Sequence, residues 1–182
     1  MGIETQSELV KRAAEFAAEA HRSVNHTYDG QPYEVHLRAV SEAAERHSGL
    51  LPDELREAAL AAAWLHDTIE DCRLTYNDIR KEFGEQVAEL VYALTNEKGR
   101  TRKERANDKY YEGIRNTPGA VYVKLCDRIA NVGHSRRSGQ GMLNVYRGEH
   151  DAFIQHLGVD RSNPLVQELD ALFANEPNPG GK

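Results

Sequence analysis

Residues 58–65, Ala-Ala-Leu-Ala-Ala-Ala-Trp-Leu, run directly into His66, Asp67, Thr68, Ile69, Glu70 and Asp71. A stretch this apolar belongs in a buried helix, so the chain must bring a histidine and three carboxylates to the end of its own core. At 3.6 residues per turn, His66, Asp67, Glu70 and Asp71 fall within an arc of roughly 140°, on one helix face. A solvated acidic helix end would also read this way. However, a buried His-Asp pair needs a partner or an ion, and a neutral imidazole beside a carboxylate is a natural ligand pair for a divalent cation. The two further carboxylates could handle protons at the same centre.

The 182 residues suffice for one domain with its own core, and we read residues 1–175 as that domain and 176–182 as a disordered tail. A net charge of −6 argues against a general nucleic-acid binder. No run is long and apolar enough for a membrane span, and the N-terminus lacks a signal-peptide pattern, so the expectation is a cytoplasmic protein. Cys72 and Cys126 could pair, but two cysteines without an export signal are expected reduced and buried.

Helical patterning dominates. Thr5 and Glu8 have capping-box spacing ahead of a stripe formed by Leu9, Ala13, Phe16, Ala17 and Ala20, in a helix ending near His21. Asn25, Asp29, Gly30 and Pro32 predict a loop over residues 22–33, followed by a helix from about Glu34 to His47. Pro52 suits the first turn of the helix that carries the hexapeptide. Thr75 and Asp78 open a short helix, and Phe83, Val87, Leu90, Val91 and Leu94 form the stripe of the next. Residues 120–126 have the composition of a buried strand, yet Val121, Leu125, Ile129 and Val132 keep helical spacing. A helix there leaves Lys124, Asp127, Arg128 and Asn131 on a polar stripe. Residues 142–158 and 164–174 also read as helices. Residues 96–109 are the one strongly basic segment of an acidic chain, either a solvated face or the partner of something anionic.

Three ordered motifs carry a resemblance. Gly30, Pro32, Tyr33 and His36 match Gly-x-Pro-Tyr-x-x-His, residues 66–71 match His-Asp-x-x-Glu-Asp, and Val123, Lys124, Leu125, Asp127, Arg128 and Asn131 match Val-Lys-Leu-x-Asp-Arg-x-x-Asn. Together they resemble the HD-domain metal-dependent phosphohydrolases, and within these the alarmone hydrolases of the RelA/SpoT type, including the free-standing small enzymes. The resemblance runs from about residue 9 to about 157 and implies an all-α HD-domain bundle of about eight to ten helices.

By this resemblance His36, His66, Asp67 and Asp127 are ligands of one metal ion. Two imidazoles and two carboxylates suit manganese and admit iron, zinc or magnesium, and manganese is also the family's ion. Glu70 and Asp71 are the implied catalytic pair, because close carboxylates raise one another's proton affinity. The implied reaction is hydrolysis of the 3′-pyrophosphate of a guanosine tetra- or pentaphosphate, releasing pyrophosphate and a nucleoside 5′-di- or triphosphate. Asn131, Tyr146 and Arg102 match substrate-contacting positions, and Lys124 is a further candidate.

The sequence departs from the family in the loop before Gly30. A basic Arg-Lys pair is usual there, and this chain has Asn25, His26, Thr27 and Tyr28. This departure puts the usual guanine contact in question, while His26 or Tyr28 could stack on a base, so the expected substrates include adenosine counterparts. Leu37 replaces a common proline, a minor change. Two other readings use the same residues: a different HD-class nucleotide phosphohydrolase, such as a 5′-nucleotidase or a reduced-dinucleotide phosphatase, and a non-catalytic nucleotide-binding module. In every reading the partner is a small-molecule nucleotide.

Overall fold

The computed structural model describes residues 7–139 and 141–174, so Thr5 and the tail expected at 176–182 lie outside the described residues. The helices are α1 (Glu8–Ser23), α2 (Glu34–Arg46), α3 (Asp53–Leu65), α4 (Thr68–Asp71), α5 (Tyr76–Phe83), α6 (Glu85–Leu94), α7 (Arg102–Arg105), α8 (Asp108–Asn116), α9 (Ala120–Ser138), α10 (Met142–Leu157) and α11 (Pro164–Ala174). Among the described residues this makes nine helices of eight residues or more and two single turns, α4 and α7. The fold is all-α, as the patterning predicted.

Helix α3 is the axis of the bundle and packs against α1, α2, α6 and α9. Its alanines explain how. Ala59, Ala61, Ala62 and Ala63 are fully buried, and side chains this small let several helices approach one backbone. Helix α9 packs against α2, α3, α10 and α11, and Val123, Leu125 and Val132 are buried in it, as is Asp127 of its polar stripe. Residues 120–126 are helical, because i, i+4 spacing placed their apolar groups on the α2 and α3 contacts.

Three local expectations are corrected. The first helix is capped by Ser7, whose side chain accepts a hydrogen bond from the Val10 N–H, and it continues to Ser23. The segment expected to be plain loop contains a hairpin, β1 (Thr27–Tyr28) and β2 (Gln31–Pro32), with Thr27 opposite Pro32. Its turn residues Asp29 and Gly30 both have positive φ, 48° and 77°, the combination a tight two-residue hairpin requires. Finally, α3 stops at Leu65, with Asp67 at φ −99° and ψ 0°. The Thr68 hydroxyl donates to the Leu65 carbonyl and competes with continuation of the helix. The hexapeptide therefore occupies a helix break rather than one helical face.

Gly119 starts α9 at φ +89°, where an added Cβ would also lie 3.4 Å from the Leu90 side chain. Gly119→Ala is expected to destabilise the protein by about 1–2 kcal/mol, the cost of a left-handed residue with a Cβ. A lower urea midpoint with unchanged slope would show it.

Candidate active site

Three segments meet beside a cavity of about 600 Å³. The break after α3 presents His66 and Asp67, α2 presents His36, and α9 presents Asp127. His36 Nε2, His66 Nε2 and an Asp67 oxygen lie within 4.8 Å of one another. His66 Nε2 is 2.9 Å from Asp67 Oδ2, and Asp127 Oδ1 is 3.2 Å from His36 Nε2 and 3.7 Å from His66 Nε2. The structure thus brings the four expected ligands together.

The chemistry of this donor set fits a divalent cation. His66 donates from Nδ1 to the Ala63 carbonyl at 2.9 Å, which turns Nε2 toward the carboxylates. That Nε2 is buried and, although close to Asp67, has no partner of hydrogen-bond geometry among the described residues. Burial opposes a charge on His66, yet Asp67 and Asp127 outweigh it and lift its pKa to about 9. A histidine driven so strongly to carry positive charge marks a place where a cation would satisfy the surrounding carboxylates.

Supporting contacts hold the two carboxylates. The Tyr33 hydroxyl donates to Asp67 Oδ2 at 2.5 Å. Lys124 donates to Asp127 Oδ2 at 2.9 Å, and Asn131 Nδ2 donates to Asp127 Oδ1 at 2.7 Å. Burial pushes the Asp127 carboxyl up, but Lys124 and the two histidines outweigh it and hold the group well below the usual carboxylate range. The Asn131 Oδ1 in turn accepts from the Tyr28 hydroxyl at 2.8 Å.

Glu70 and Asp71 lie in the cavity wall beside the ligands. Asn96 clamps Glu70, through its backbone N–H at 3.1 Å and its side-chain amide at 3.2 Å. The Asp71 side chain is 31% exposed, yet burial first, and then the charges of Asp67 and Glu70, push its carboxyl up to about 7.

The cavity lining also includes basic residues. Arg102, Lys103 and Arg105 come from the segment around α7, Arg128 comes from α9, and Tyr146 sits beside them. Arg102 and Arg128 lie over the Tyr146 ring, 5.6 and 4.7 Å from its centroid. The basic segment is therefore a cavity wall as well as a solvated face.

Of the expected substrate contacts, Asn131, Tyr146, Arg102 and Lys124 line the cavity, and His26 and Tyr28 do not. The His26 ring stacks on Tyr33 at 3.8 Å, and Tyr28 stacks on His36 at 4.9 Å. The amide of Asn131 is engaged at both ends, and Lys124 is paired with Asp127. Sequence reasoning gave no role to Tyr33, Asn96, His21 or Glu149. Buried His21, whose Nδ1 lies 2.9 Å from that of His26, supports the back of the hairpin. Tyr33 stood inside a matched motif, whereas Asn96 and Glu149 left no local signal. Cys72 and Cys126 are free and buried, and burial pushes the Cys72 thiol to about 12.

A profile of the HD domain matches residues 13–147, which include all four clustered ligands. The chain belongs to the HD-domain family. This assignment implies a divalent metal at the His/Asp cluster, in agreement with the donor geometry. The mouse guanosine-3′,5′-bis(diphosphate) 3′-pyrophosphohydrolase MESH1 is 34% identical over 133 residues, which span 72% of this HD-domain chain and 71% of the relative. A Xenopus tropicalis protein of the same name is 31% identical and is matched over 96% of this chain and 98% of its own length. The Aquifex aeolicus guanosine-3′,5′-bis(diphosphate) 3′-pyrophosphohydrolase is 35% identical over 130 residues, only 18% of that longer protein. A solved structure of a metazoan ortholog of SpoT, described as hydrolysing ppGpp, superimposes with a TM-score of 0.70 at 25% identity, covering 93% of this chain and 96% of that one. The bundle is thus the HD-domain bundle of the SpoT ortholog.

Proposed function

We propose that this HD-domain protein hydrolyses the 3′-pyrophosphate of guanosine tetra- and pentaphosphates, and of their adenosine counterparts, releasing pyrophosphate and a nucleoside 5′-di- or triphosphate. The observation that carries the reading is one cavity lined both by the carboxylates of the His/Asp cluster and by several arginines. Pyrophosphate transfer to water needs both, one for activation and one for the charge of the phosphates. The relatives' names point to the same reaction.

His36, His66, Asp67 and Asp127 would hold the metal, with manganese the ion we favour for this set. When bound, a divalent cation there supplies a Lewis-acidic charge that lowers the pKa of water and polarises a phosphoryl oxygen. Glu70, fixed by Asn96, orients the attacking water. Asp71, pushed up to about 7, can carry a proton near neutral pH and pass it to the ribose oxygen that leaves. Arg102, Lys103, Arg105 and Arg128 bind the phosphates. Tyr146 packs against two of these guanidinium groups and forms the wall the nucleotide passes. Asn131 acts mainly through Asp127, and Tyr28 acts through Asn131. Among the described residues no helix is long and apolar enough to cross a membrane, which agrees with the cytoplasmic location we favour.

The hairpin bears on base choice. Asn25, His26, Thr27 and Tyr28 offer no basic donor for the guanine edge, and the His26 and Tyr28 rings are occupied by Tyr33 and His36. A site without fixed donors rejects adenine poorly. Adenosine and guanosine substrates are therefore expected to show kcat/KM values within about tenfold, about 1.4 kcal/mol in transition-state binding. A manganese-supplemented panel of both tetra- and pentaphosphates, with simple nucleoside monophosphates and a reduced dinucleotide phosphate, tests this. A thousandfold preference for guanosine would place base recognition elsewhere. Activity only on the simple nucleotides would overturn the reading.

A further inference from the structure

The basic wall contains a carboxylate where a substrate phosphate would be expected. Arg102 reaches Glu149 through two nitrogens, Nε to Oε1 at 3.2 Å and an Nη to Oε2 at 3.0 Å. This side-on fork is the geometry a guanidinium offers a phosphate. Arg128 Nη1 completes the clamp on Oε2 at 3.0 Å. The three residues come from α7, α9 and α10, so no local motif announces them.

The arginines and the carboxylate are not held alike. Arg128 is 9% exposed and rests on two rings, 4.0 Å from the Phe153 centroid and 4.7 Å from that of Tyr146. Arg102 rests on Tyr146 as well. Both guanidinium groups therefore have an aromatic contact in addition to Glu149. A cation as buried as Arg128 still requires an anion. Glu149 supplies it with a side chain that is 37% exposed and has the two arginines as its hydrogen-bond partners among the described residues. Of the other carboxylates lining the cavity, Asp67 and Asp127 lie against the two histidines and Glu70 is held by Asn96.

We infer that Glu149 is a resident surrogate anion, occupying the phosphate position between Arg102 and Arg128 and giving it up when a pyrophosphorylated nucleotide enters. The inference rests on the proposed reading of this cavity as a pyrophosphate site. A phosphoryl group brings more charge and more acceptor oxygens than one carboxylate, so it can take over both arginines. Until then Glu149 offsets one of the two guanidinium charges and leaves a net positive charge to attract the nucleotide. The exchange also loosens the grip on released pyrophosphate, because Glu149 returns to its place as the product leaves.

Glu149→Gln removes the competing charge and keeps the shape. Calorimetric titration of inorganic pyrophosphate into the metal-loaded full chain is expected to give a Kd about fivefold lower, or more, for Glu149→Gln than for the parent, the scale of a half-exposed ion pair. Thermal midpoints of the two proteins establish that both are folded. In steady state the same variant should show a lower KM and stronger inhibition by pyrophosphate. If Glu149 only props the arginines in place, pyrophosphate binding will be unchanged or weaker, and the inference fails. The titration requires no turnover, so absence of 3′-pyrophosphohydrolysis would overturn the proposed function while leaving this result readable.

Discussion

Asp127→Ala is expected to lose the metal and all measurable turnover together. Asp127 is 8% exposed, and its two oxygens face different cations. Oδ1 lies against the histidine pair, and Oδ2 accepts from Lys124. Removing the carboxylate takes away one ligand and also leaves the Lys124 ammonium, 17% exposed, without its counter-charge. Breaking a buried pair in this way costs about 3–5 kcal/mol, so the alanine variant should be less stable as well as inactive. Asp127→Asn, which keeps the volume, separates the two effects, because it should fold closer to normal and still lose metal and activity. Elemental analysis of the purified variants reads the ion directly. In the parent protein, chelation should abolish activity, and added manganese should restore it better than zinc or magnesium. Full metal occupancy in both Asp127 variants would remove the residue from the ligand set.

Glu70→Gln and Asp71→Asn should show the converse pattern, retaining metal while losing about a hundredfold or more in kcat. Neither side chain is among the four proposed to hold the cation, so metal content should stay near that of the parent. Their effects should differ in kind. Glu70 is held by Asn96 through both oxygens, and Glu70→Gln leaves an amide NH2 facing one of the two Asn96 donors in either orientation. Asp71 is pushed up to about 7, within reach of a proton at neutral pH, and Asp71→Asn removes the proton carrier without changing the outline of the wall. Near-normal turnover in either variant would make that residue a structural acid.

Much of this site was legible because its residues are short-range motifs. His66, Asp67, Glu70 and Asp71 lie in one hexapeptide, and Lys124, Asp127, Arg128 and Asn131 share a helical stripe that separates polar from apolar residues at 3.6-residue periodicity. That stripe also decided between helix and strand for residues 120–126. What escaped is long-range or depends on single atoms. The break after Leu65 follows from one hydroxyl, Thr68, returning to a carbonyl, and hydrophobic spacing carries no trace of it. The hairpin strands are two residues long, too short for alternation to register, although Asp29-Gly30 was a readable turn signal. Asn131 matched a substrate-contacting position, but its amide is engaged by Asp127 and by a tyrosine 103 residues earlier in the chain. Glu149 is an ordinary acidic residue on α10 until folding sets it between arginines from two other helices.

The pH dependence of kcat would report on the diad, but product identity goes further, because it distinguishes the proposed chemistry from every other use of the same metal site. The purified protein, loaded with manganese and given guanosine 3′,5′-bis(diphosphate), should release intact pyrophosphate and guanosine 5′-diphosphate in equal amounts when the products are resolved by chromatography. Release of orthophosphate in place of pyrophosphate, or an unchanged nucleotide in the presence of bound metal, would contradict the account.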